Sequence, residues 1–146
     1  MHLRQTIRQS IVSSLTGLTT TGANVFTSRV YALPQVALPA LCIYTKGETA
    51  EYESLTRPRT IQRVLELTVE IYVAANQNAD NTIDRICDEI ETKIAENVTI
   101  DGNAKDIIVS SVDVDFDGDG EIPVARATMV LSITYFNEEG NQTVPK

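Results

Sequence analysis

Hydrophobic and polar residues alternate with a period of two along Thr60–Val73, TIQRVLELTVEIYV. Ile61, Leu65, Leu67, Val69, Ile71 and Val73 fall on one side. Thr60, Gln62, Glu66, Thr68 and Glu70 fall on the other, with Val64 and Tyr72 interrupting. Successive strand side chains point to opposite faces, so the pattern predicts a long strand with one face buried and one wet. At roughly 3.3 Å per residue it spans about 45 Å, long enough to be the centre of a sheet.

The flanking patterns supply its neighbours. Residues 2–16 carry Leu3, Ile7, Ile11 and Leu15 at steps of four with Val12 beside them, the spacing of an amphipathic helix. Gly17 stops it, and Thr19–Gly22 makes a connection. Val25–Tyr31 reads as a short strand. Leu33–Pro39 is excluded from a sheet centre because Pro34 and Pro39 lack the amide donor. Ala40–Thr45 resumes as a buried strand, and Lys46–Arg59 follows as a long polar loop. Structureless connections beyond about 12 residues are usually functional or disordered, so this one is a candidate to order only against a partner.

After the long strand, Ala74–Asn81 reads as a turn in which Asp80 or Asn81 caps the next helix. Ile83, Cys87, Ile90 and Ile94 define its buried stripe, and Glu89 and Lys93 an outer i,i+4 pair. Asn97 ends the helix, and Asp101-Gly102 is a turn dipeptide. Ile107–Phe116 and Val124–Phe136 are strands around an acidic tip, and Asn137–Lys146 is a polar, mobile tail. The expected order is α-β-β-β-α-β-β. The class is α+β: one domain over 1–136, with a mostly antiparallel mixed sheet of about five strands and two helices on one face. The other face, bearing Gln62, Glu66, Glu70, Arg126 and Thr128, is left to water, a hydrated channel or another subunit.

Charge narrows the functional classes. The 146-residue chain carries a net charge of −8, which argues against a reader of duplex DNA and against docking on anionic lipid. An acidic wall can nevertheless line a passage for DNA without holding it. Cys42 and Cys87 lack the paired spacing of a metal site and are expected as buried thiols in a reducing compartment. Arg4, Gln5, Arg8 and Gln9 interrupt any apolar run near the start, and Pro34, Gln35 and Pro39 break the most apolar stretch. Neither a secretory leader nor a membrane span is expected. The reading is a cytosolic protein or part of a particle.

The candidate chemistry is sparse. Asp113, Asp115, Asp117 and Asp119, with Gly118 following, resemble the opening of a calcium loop. Such a loop closes with a bidentate Glu at its twelfth position. Counting from Asp113 that residue is Val124, and from Asp115 it is Arg126. An acidic hairpin tip is the better reading, with weak Mg²⁺ or Ca²⁺ binding as the alternative. His2 is the single histidine and sits at the chain start, which disfavours a Ser/His/Asp arrangement. Glu66 and Glu70 share a face but read as a solvated pair. No phosphate loop is present. No catalytic residues are expected, and no cofactor.

The collinear pattern over Leu3–Phe136 resembles the tail terminator proteins of long-tailed bacteriophages, of the lambda minor tail protein U type. The resemblance is carried by the opening helix, by Val25-Phe26 with Arg29 soon after, and by Leu38-Pro39-Ala40 leading into Cys42-Ile43-Tyr44. It continues through Leu67-Thr68-Val69-Glu70-Ile71, the second helix, the acidic tip and Val130-Leu131-Ser132-Ile133-Thr134-Tyr135. It implies a structural virion protein that is not an enzyme. Such a protein is made in the host cytoplasm and forms a six-membered ring at the head-proximal end of the tail tube. The ring stops tube polymerisation and offers a face to the head–tail connector, while DNA passes through its lumen without specific binding. A different joining, neck or tail-completion protein is the alternative within that group; a divalent-cation module using the Asp-rich tip is the alternative outside it. The expected contacts to tube or neighbour are Arg4, Arg8, Tyr52, Leu55, Arg57 and Arg59. Glu66, Glu70, Asp115, Asp117 and Asp119 are expected at the lumen or its rim.

Overall fold

The computed structural model describes residues 1–27, 38–117 and 124–146. The elements run α1 (Leu3–Leu15), β1 (Val25–Phe26), β2 (Ala40–Tyr52), β3 (Thr60–Ala74), α2 (Ala79–Ala95), β4 (Asp106–Asp117) and β5 (Val124–Glu138). They form one sheet in the order β1-β2-β3-β5-β4, in which β1 alone pairs in parallel. The α+β class and the order α-β-β-β-α-β-β are as the sequence predicts. Strand β3 is the centre: β5 pairs with it from Thr60↔Glu138 to Ala74↔Val124, and β2 covers its other edge.

The alternation in β3 becomes burial. Leu65, Leu67, Val69 and Ile71 are fully buried, as are the cross-strand Ala127, Met129, Leu131 and Ile133 of β5. The stripes of both helices, Leu3, Ile7, Ile11 and Leu15 of α1 and Ile83, Ile86, Ile90 and Ile94 of α2, join the same core cluster. Ile86 takes the place expected for Cys87, which is half-buried, because residues 86 and 87 flank the stripe on a helix advancing 100° per residue. Burial, then Glu91 and Asp84, push the Cys87 thiol up to about 11. Neither cysteine takes part in a disulfide.

Three stretches depart from the sequence reading. The loop expected over Lys46–Arg59 is strand as far as Tyr52, because β2 continues past a bulge at Thr45/Gly47 to pair Tyr52 with Ile61. Its outer half carries few apolar residues, so the ladder leaves no hydrophobic period to read. Asn137–Lys146, expected as a mobile tail, is bonded back to the fold. Leu3 N–H donates to Gln142 O (2.9 Å), Lys146 N–H to Phe136 O (3.0 Å) and Glu139 N–H to Arg59 O (2.7 Å). The first short strand is Val25–Phe26; the rest of the expected strand, from Ser28 on, lies outside the described residues, as does Arg29.

The helix ends are also specific. His2 caps α1, its Nδ1 accepting from Arg4 N–H at 3.1 Å. Burial and the nearby Arg4 guanidinium hold its imidazole below the usual range, which suits an acceptor nitrogen. Helix α2 begins after Asn78, which makes no side-chain cap bond, while Asp80 lies in the first turn where the helix dipole favours it. Beyond α2, Ile100 and Asp101 have φ of 51° and 57°. A β-branched residue rarely adopts such a φ. Burial of the Ile100 side chain and bonds between Asn97 and Asp101 (3.0 and 3.1 Å) hold the turn.

Candidate functional site

The polar side chains that sequence singled out are mostly engaged inside the fold. Glu48, on the core side of β2 and not among the residues the sequence singles out, bonds side chains of three other elements. Its Oε2 accepts from Arg4 at 2.7 Å and from Arg63 at 3.1 Å, and its Oε1 from the Tyr135 hydroxyl. Arg63 also donates through Nε to Asn137 Oδ1 at 2.7 Å. Helix α1 and strands β2, β3 and β5 meet at this one carboxylate. Nothing in the sequence pattern selected Glu48, since its partners lie 15 to 87 residues away.

Glu70, expected on an open face, is 3% exposed. Its Oε1 accepts from Tyr44 at 2.6 Å and its Oε2 from the Tyr72 hydroxyl. Flanking strands place Tyr44, Cys42 and Thr128 beside it and cover a position that alternation alone assigns to solvent. That expectation is corrected: in the single chain this carboxylate does not face water. Burial first, then the bond to Glu70, raises Tyr72 above the ordinary tyrosine value. Burial and Glu48 do the same for Tyr135. Glu66 does remain exposed, with Lys46 at 3.9 Å.

The tip of the β2–β3 hairpin is a second cluster. Arg59 donates from Nε and from a terminal nitrogen to Glu139, each at 2.9 Å, and its guanidinium lies 4.3 Å from the centre of the Tyr52 ring. Arg57 reaches the same carboxylate at 3.4 Å. The Arg59 bonds pull the Glu139 carboxyl down to about 2. Leu55 is fully exposed and Tyr52 about half exposed. Of the expected contact residues, the structure thus gathers Tyr52, Arg57 and Arg59 at one tip. It places Arg4 in the Glu48 network and Arg8 on Thr45 Oγ1 at 2.9 Å. Glu89, expected to pair with Lys93, instead accepts from the Thr20 N–H (2.9 Å) and hydroxyl, and Lys93 turns to Glu96 at 3.7 Å.

Of the acidic strand, Asp113 and Asp115 are exposed, and Asp115 lies 3.5 Å from Arg126. Asp119 and the side chain of Asp117 lie outside the described residues. Among the described residues no three His, Cys, Asp or Glu side chains converge as a metal ion would require. No helix among them is long and apolar enough to cross a membrane.

An α+β protein built on one mixed sheet, five-stranded among the described residues, with Glu48 tying a helix to three of its strands, is the class this geometry defines. The family model for phage minor tail protein U matches residues 2–135, and the chain belongs to that family. No curated protein matches the sequence. Membership makes this a structural component of the phage tail, located in the virion and in contact with other tail components.

Proposed function

We propose that the protein is a tail terminator. Copies of it form a ring, taken as a hexamer, on the end of the tail tube. The ring blocks further addition of tube protein and provides the surface for the head–tail connector. The observation that carries this reading is the family match from residue 2 to residue 135, which leaves no large part of the chain to a different task. The net charge of −8 suits a ring through which DNA passes without being held. The hairpin tip with Tyr52, Leu55 and Arg57 is the proposed contact to the tube. The exposed Glu66 and Asp115 are assigned to the lumen or rim.

Two measurements test it in sequence. Light scattering over a concentration series, with and without Mg²⁺, is expected to give a discrete species near six times 16.0 kDa. Added to polymerising tube protein, the ring is expected to shorten and cap the tubes. Tubes that grow to the same length with and without it would rule out termination and leave a joining or completion role.

A further inference from the structure

The two edges of the sheet differ from a closed surface in complementary ways. Strand β4 is an outer strand, and its Val112 and Val114 are 42% and 47% exposed. They pair with the buried Met129 and Ala127, so their side chains extend from the core face beyond its cover. At the opposite edge, β1 pairs only with Leu41 and Cys42, and among the described residues no strand covers β2 beyond that. A long outer strand with apolar side chains and unpaired amides is a template for another strand.

We infer that the outer edge of β4 pairs with the outer edge of β2 of a second copy, continuing the sheet from one subunit to the next. The inference rests on the ring reading and names the surfaces that would make the ring. Topology sets the polarity. Along β2-β3-β5-β4 every step is antiparallel, so β4 runs opposite to β2 within one chain. A ring operation that keeps strand directions therefore sets β4 against the neighbour's β2 in the antiparallel sense, the better-bonded pairing. The contact joins two different surfaces, and such head-to-tail contacts are what close rings.

The side chains fit the same placement. Helix α1 packs against β2, with Thr6, Ser10 and Ser13 on a groove shared with Asn97 and Asp101 near the end of α2. Its Arg8 lies on the other side, bonded to Thr45. A neighbour's β2 beside β4 brings that helix flank over Val112 and Val114, where this subunit's own helices leave them exposed. On the face away from the core β4 carries Asp106, Asp113 and Asp115, paired with Thr134, Thr128 and Arg126, and no Lys or Arg. Lys46, the single cation within β2, lies a long 3.9 Å from the exposed Glu66, and Glu51 of β2 pairs with Gln62 on the same face, so the seam is carried by strand pairing and the two valines.

Each edge can be blocked without touching the core. On β4, Val112→Lys with Val114→Lys places charge on side chains already partly in water. On β2, Leu41 N–H points outward to Asn24 O. Counting in twos through the bulged residue makes Glu48, Ala50 and Tyr52 outward, consistent with Glu53 N–H bonding inward to Thr60 O. Ala50→Pro therefore removes an edge donor and no ladder bond.

The test is light scattering on wild type, on each variant with its circular dichroism checked, and on an equimolar mixture. Wild type is expected as the discrete ring and each variant as a monomer. The mixture is expected to give a dimer near twice 16.0 kDa and nothing larger, because only one compatible pair of edges remains. A folded β4 variant that assembles like wild type would overturn the pairing while leaving the ring. An assembling β2 variant would mean that β4 meets β4, which also overturns it. Wild type that stays monomeric, both alone and on tube ends, would overturn the ring reading and this inference together.

Discussion

Glu48 on β2 and Glu70 on β3 are both carboxylates drawn out of water, yet their surroundings differ in kind. Glu48 meets two guanidiniums and one phenol and ties α1 to strands β2, β3 and β5. Glu70 lies on the other face and accepts from two phenols; the Arg126 guanidinium bonds to Tyr72 and acts on Glu70 by charge, with no guanidinium bond to Glu70 among the described residues. One site balances charge with charge; the other spreads a charge into neutral donors. Removing a carboxylate does different damage in the two cases. At Glu48 it strands cations, while at Glu70 it strands two neutral hydroxyls.

The largest effect is expected at Glu48. Replacing one member of a buried ion network leaves the others uncompensated, so Glu48→Gln is expected to cost about 3 kcal/mol. That lies toward the lower end of the range because the Arg4 side chain is 37% exposed and partly screened. Urea denaturation measures it; a loss below about 1 kcal/mol would place the network with ordinary surface pairs. Glu70→Gln is expected to cost about 1 kcal/mol, the net worth of a hydrogen bond. The same variant sharpens the contrast at high pH. Tyr72 titrates above its ordinary value of 10.0 in the fold, so its contribution to stability is intact below that pH. It is lost as pH rises through the folded value. With Gln at position 70 the phenolate absorbance of Tyr72 is expected to appear at lower pH than in wild type. An unchanged titration would mean that burial alone holds the proton.

Glu139 supplies the surface end of the comparison and the smallest expected effect at neutral pH. Its carboxyl is depressed from 4.5 to about 2 by Arg59. The stabilisation is therefore present above pH 4.5 and is lost as pH falls through about 2. Glu139→Gln is expected to flatten the acid limb of the stability curve over that window, with amide exchange rising first after Glu138. If the acid limb keeps its slope, the tail anchor has no part in acid unfolding.

What the sequence determined by itself was the frame. The period of two in Thr60–Val73 and Val124–Phe136, the steps of four in α1 and the steps of three and four in α2 are local, and each predicts a buried face that the fold contains. They are legible because the period of the backbone sets which side chains share a face. The networks were not legible, because a hydrogen-bond partner is a matter of position in space. Glu48 finds Arg4 and Tyr135 across 44 and 87 residues, and Glu70 is capped by Tyr44 of the flanking β2 together with Tyr72 of its own strand. The outer half of β2 and the C-terminal segment were missed for the same reason: backbone ladders and a tail carboxylate on Arg59 order them, and neither leaves a hydrophobic period. Alternation sorts residues into two faces, but only the assembled sheet decides whether a polar face meets water, a tyrosine or a second chain.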